Sequence, residues 1–134
     1  MDKTRGLRLH AKGLLAILIL QYALGMYTNL FVEFPQTPDI HARWVYAMSV
    51  PPVAAHVALG TLLLFGAVAL LIRTAKLQTQ AWKIPGYLGL LGVLIAWLSG
   101  ERFVSTQTNI FSYLMSLGFL LAVFGYGWGL AKKD

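Results

Sequence analysis

Four long apolar runs, separated by short stretches rich in charges and turn formers, set the pattern of this chain. They cover about residues 14–32, 53–72, 84–100 and 110–130. As a helix, a run of about 18 apolar residues is long enough to cross a hydrocarbon core of about 30 Å. The pattern predicts an all-α membrane protein of one domain. The simplest arrangement is an antiparallel up-down-up-down bundle of four transmembrane helices with short connections.

The stretches between the runs refine this. Residues 33–52 carry Pro35, Pro38, Pro51 and Pro52 as breakers, so they form the longest loop. Within that loop, His41 to Met48 predicts a short helix lying at the membrane surface, with Trp44 and Tyr46 as interface anchors. Arg73 to Lys83 reads as the second connection, with Trp82 at the interface, and Glu101 to Asn109 as the third. Pro85 is placed in the first turn of its span. Gly86, Gly89 and Gly92 recur every three residues and form a smooth face for a close helix neighbour. That neighbour belongs to this chain, to a second copy, or to a membrane-protein partner. Met1 to Gly13 is a basic leader. The run behind it is longer than a signal-peptide core and lacks a small-x-small cleavage site, so it is read as an uncleaved first span.

Composition agrees with a bilayer environment. Of 134 residues, 57% are hydrophobic and 12% charged, and the mean hydropathy is +0.65. A soluble domain carries about 25% charged residues. There are no cysteines, which excludes disulfides, thiolate metal sites and thiol redox relays. The formal charge of +6 does not point to nucleic acid, because its distribution is one-sided. Lys3, Arg5, Arg8, Lys12, Arg73, Lys76, Lys83, Lys132 and Lys133 fall at one end of the runs, and only Arg43 and Arg102 at the other. By the positive-inside rule both termini are cytoplasmic, in a multi-pass protein of the cell membrane. The basic residues then meet anionic headgroups of the lipid bilayer.

The candidate chemistry gathers toward the opposite, outward side. His56 is the only histidine inside an apolar run, and an ionisable residue at membrane depth is a functional-site hypothesis by default. At about 1.5 Å per residue, His56, Met26, Asn29, Ser99, Ser112 and Met115 fall within about one helical turn of the same depth. Three readings of His56 stand side by side. In the first it ligates haem, with Met115 as sixth ligand and Gly60 leaving room for a flat macrocycle. In the second it donates to the carbonyl of a quinone-like ligand, with Glu33 or Glu101 as proton acceptor at the rim. In the third it hydrogen-bonds Asn29, Ser112 or Ser116 and only ties helices together. A metal site from Glu33, Asp39, His41 and Glu101 has no supporting ligand spacing. Small multidrug exporters are of similar size, but they use a carboxylate deep in a span, and no span here contains one.

The residues Leu24-Gly25-Met26, Asn29-Leu30, Pro35, His56, Leu59-Gly60, Ser99-Gly100, Phe103, Ser112 and Met115 resemble a family of small four-span bacterial membrane proteins without an assigned activity. The layout is more distantly similar to one four-helix half of haem A synthase, in which outer-side histidines hold haem. That resemblance implies a haem pocket at His56. The Glu-x-x-His pattern of the synthase has Val53 in place of its Glu here, and no second histidine lies in a span. The reading reached is an integral membrane protein with an outward-facing polar pocket lined by His56, Met115, Asn29, Gly60 and Ser112. It holds haem or a quinone-like ligand as an accessory to a respiratory or redox assembly. The rivals are a membrane enzyme of haem or quinone metabolism and a purely structural subunit.

Overall fold

The computed structural model describes residues 4–132. In chain order the elements are α1 (Arg5–Phe31), α2 (Ile40–Ser49), α3 (Pro51–Lys76), α4 (Gln80–Thr106) and α5 (Asn109–Ala131), with no strand among the described residues. Four of the five, all but α2, are long and apolar enough to cross a membrane.

The long helices overrun the apolar runs. α1 begins at Arg5, inside the basic stretch expected to be a leader. The expected connection over residues 73–83 shrinks to residues 77–79, and the one over 101–109 to residues 107–108. The reason is that Arg, Lys, Glu and Gln are good helix formers, and long cationic side chains reach back to water from a buried stem. Charge ends the apolar run without ending the helix. Because α4 starts at Gln80, Pro85 lies in its second turn, not its first, and costs the Ala81 carbonyl its helical partner.

α1 packs against α3 and α5, and α4 packs against the same two, so α1 stands opposite α4 and α3 opposite α5. The tightest contact is between α4 and α5, and glycines make it. A Cβ on Gly118 would stand 2.6 Å from the backbone nitrogen of Ala96 and the carbonyl oxygen of Gly92. One on Gly125 would stand 2.6 Å from the nitrogen of Gly89. The glycine face of α4 therefore meets its own chain: Gly89 lies under the Tyr126 ring and Gly92 against Ala122, while Gly86 turns toward Leu71 of α3. Such close backbone approach is how helices associate where no water drives them together.

One half of the molecule is solid. Leu7, Leu14, Leu18, Leu63, Leu70, Trp82 and Tyr126 form its core. Trp82, expected at the interface, is 1% exposed, because Gly129 on α5 leaves a notch that its ring fills. Arg8 fastens the same end by donating from Nη1 to the Lys132 carbonyl at 3.0 Å and from Nη2 to the Leu130 carbonyl at 2.7 Å. Outward-facing positions are apolar instead of polar: Ile19, Phe31 and Phe65 are 66–69% exposed. That inverts the rule for a water-soluble surface and suits contact with lipid.

The other end carries a cap. α2 folds over α3 and α4, and Ala47, Val53 and Val104 form a second small cluster with Phe34 and Trp44. Trp44 turns inward, its Nε1 donating to Ser105 Oγ at 3.4 Å. Arg43 ties the cap down by donating to the carbonyls of Thr37 and Ser105. Asp39 accepts from the His41 backbone nitrogen at 2.9 Å and so caps α2.

Candidate functional site: a chamber between core and cap

Between the solid half and the cap lies a cavity of about 460 Å³. Small-molecule sites occupy about 300–1,000 Å³ and are mostly apolar with a few placed polar groups. This one fits that description: Leu18, Val57, Val93, Phe103 and Phe119 face it together with Gln21, His56, Thr61 and Glu101. All four long helices contribute, and so does Trp44 from α2.

The two helices that hold His56 meet through a reciprocal pair. Gln21 and Gly25 are four residues apart on α1, and His56 and Gly60 four apart on α3, so each pair shares one helix face. The His56 ring sits on Gly25, where a Cβ would stand 2.9 Å from Cε1. The Gln21 amide sits on Gly60, where a Cβ would stand 3.0 Å from Nε2. That Nε2 donates to the backbone carbonyl of His56 at 2.8 Å. The bond fixes the amide, and Gln21 Oε1 is left buried without a partner. Nδ1 of His56 is likewise buried and unpartnered.

His56, Met115, Asn29, Gly60 and Ser112 all line this one cavity. Met26 and Ser116 line it too, whereas Ser99 is buried outside it and Glu33 is not part of it. Two expectations need correcting. The space above Gly60 is filled by Gln21 and is not open to a macrocycle. His56 also makes no bond to Asn29, Ser112 or Ser116: the Ser116 hydroxyl donates to the Ser112 carbonyl of its own helix at 3.2 Å, and the inter-helix tie is Gln21. A hydroxyl one turn along a helix has its own backbone carbonyl within reach, and that local bond wins. Met115 packs on Gly100 of α4, where a Cβ would stand 3.4 Å from Sδ.

Gln21, Gly25, Thr61 and Trp97 were missed as site residues. Trp97 Nε1 donates to Thr61 Oγ1 at 3.2 Å and closes the α3–α4 side. The signal that identifies the first two is the repeated spacing of a polar residue and a glycine four apart on neighbouring spans. The acidic residues serve elsewhere. Glu101 accepts from Ser105 Oγ at 2.9 Å and pairs with Arg102 at 3.5 Å, at the chamber's capped end.

No protein-family model, curated protein or solved structure matches this chain.

Proposed function

We propose that this chain is a four-span protein of the cell membrane, with both termini cytoplasmic, that binds a lipid-soluble, ring-bearing ligand of the quinone class. The ligand lies in the chamber with its polar head toward His56. The contacts of Gly66 with Leu14, Gly25 with His56, Thr61 with Trp97 and Trp82 with Gly129 support an up-down-up-down course. Arg5, Arg8, Lys12, Arg73, Lys76, Lys83 and Lys132 at the core end support the orientation.

The observation that carries the ligand is a largely apolar chamber of about 460 Å³ holding a histidine seated by its neighbours, whose ring nitrogen Nδ1 is buried without a hydrogen-bond partner. A polar group kept at membrane depth without a partner is costly, and a ligand supplies the partner. Nδ1 is the ring nitrogen left without a bond. Glu101 lines the same chamber and is the carboxylate this reading offers as a proton acceptor.

Haem is the second reading, favoured by Met115 and His56 standing on helices that face each other across the chamber. The experiment separates the two. Protein purified in detergent is examined by absorption and by organic extraction, then titrated with decylubiquinone while tryptophan fluorescence is followed, since Trp44 and Trp97 line the chamber. A colourless protein with extractable quinone, whose fluorescence is quenched saturably and at least tenfold less tightly in His56→Ala, fits the proposal. A Soret band lost in His56→Ala establishes haem. Affinity for decylubiquinone unchanged in His56→Ala rejects the quinone site.

A further inference from the structure

The chamber has four side walls, and three of them carry a direct inter-helix contact at chamber height. The α1–α3 wall is bonded by Gln21, the α3–α4 wall by Trp97 on Thr61, and the α4–α5 wall is sealed by glycine contacts. The cap covers the end over α3 and α4. The α1–α5 wall differs along its length. At the core end Arg8 bolts it to the last carbonyls of α5, and at mid-height Tyr22 stacks on Phe119 with centroids 4.9 Å apart. Beyond that stack no hydrogen bond joins α1 to α5 among the described residues. A second cavity of about 290 Å³ opens there instead, lined by Asn29, Asn109, Ser112, Tyr113 and Ser116. Asn29, Ser112 and Ser116 line both cavities, so the two spaces adjoin.

We infer that the seam between the outer ends of α1 and α5 is the port of the chamber, through which a ring-bearing amphiphile passes sideways from the outer leaflet past Asn29, Ser112 and Ser116. The chemistry of the seam suits transit. Its lining is neutral amides and hydroxyls, which offer a polar head successive weak hydrogen bonds without trapping it as a charge does. Tyr22 and Phe119 form the sill, an aromatic edge over which a flat ring slides. This inference rests on the chamber proposed above, and its test is independent of which ligand fills it.

The absence of cysteine makes that test clean. In the full-length protein in nanodiscs, Met115→Cys places a lone thiol on the chamber wall, and its alkylation by N-ethylmaleimide is timed. Adding Asn29→Trp plugs the seam. Adding Leu98→Trp instead enlarges an exposed residue of α4, 54% accessible and outside the chamber lining. Alkylation at least tenfold slower with Asn29→Trp, and unchanged with Leu98→Trp, is the expected result. Equal rates in all three proteins overturn the port. Should Asn29→Trp fail to fold, Ser116→Trp plugs the same seam from α5. Decylubiquinone quenching is timed in parallel. Gated alkylation without any quenching leaves the port and removes the quinone, whereas quenching with ungated alkylation does the reverse.

Discussion

The His56 imidazole rests on Gly25, with Cε1 2.9 Å from where a side chain at residue 25 would begin, and Gln21 rests on Gly60 at 3.0 Å in the same manner. Each helix thus offers its neighbour one polar knob and one glycine socket. The two contacts are not equally yielding, because a rigid ring whose Cε1 corner meets backbone has less room to move than the far end of a flexible amide. Gly25→Ala is expected to destabilise the protein by about 1–3 kcal/mol, the usual cost of overpacking. Decylubiquinone affinity should fall at least tenfold as the ring is displaced. Gly60→Ala should cost less than about 1 kcal/mol, since Gln21 can swing aside. Denaturation by sodium dodecyl sulfate in mixed micelles reads both.

Gln21 holds one hydrogen bond and leaves one acceptor buried without a partner. An inter-helix bond in a membrane is worth about 0.6–2 kcal/mol, and an unsatisfied buried acceptor costs about 1–3 kcal/mol. The second term outweighs the first. Gln21→Met, of similar length, should therefore leave stability unchanged or raise it by about 1 kcal/mol while weakening ligand binding. A fall in stability of 2 kcal/mol in the same micelle assay contradicts this balance.

Much of the fold was legible in the sequence, because four apolar runs with charge at their ends carry a strong signal. The short helix under Trp44 was legible too, from prolines bracketing a helix-forming stretch. What misled was treating charge as a boundary: Arg5, Lys76 and Arg102 all lie within helices. Depth along a span placed His56 and Met115 at one cavity, since axial position follows from counting residues. Rotation about the helix axis is far less legible when lipid-facing and core-facing positions are equally apolar. For that reason Trp82 reads as a surface residue and Ser99 as a pocket residue in the sequence, and the pairing of Gln21 with Gly60 is legible only in the structure.

The glycines sort into those that meet backbone, those that meet side chains and those that meet nothing. A Cβ on Gly118 meets the backbone of Ala96 and Gly92, which cannot step aside. Gly118→Ala should cost about 2–3 kcal/mol and loosen the α4–α5 pair. A Cβ on Gly127 meets nothing within 4 Å, so Gly127→Ala should shift stability by less than about 0.5 kcal/mol. Comparable losses in the two variants would contradict the glycine seal.

Arg8 donates to two carbonyls at the end of α5 through two nitrogens of one fork. Hydrogen bonds to charged groups are worth about 1.5–3 kcal/mol when well sheltered. At this half-buried position Arg8→Ala should cost about 1–2 kcal/mol. Arg8→Lys should recover less than half of that, because one ammonium cannot span both acceptors in the same planar geometry. Faster hydrogen exchange at the last turn of α5 in Arg8→Ala is the accompanying sign. Unchanged exchange there argues against the bolt.

The bolt at Arg8 and the open seam at Asn29 lie at opposite ends of one stiff rod. Twenty-one residues of helix separate them, about 32 Å at about 1.5 Å per residue. α1 is bonded to α5 at Arg8 and to α3 at Gln21, while beyond the Tyr22–Phe119 stack no hydrogen bond ties it to α5 among the described residues. A tilt of about 5° about Arg8 carries the Asn29 end sideways by about 3 Å, roughly the half-thickness of an aromatic ring with its clearance. On the port inferred above, the Arg8 fork at one end of α1 is the pivot about which the other end, at Asn29, moves.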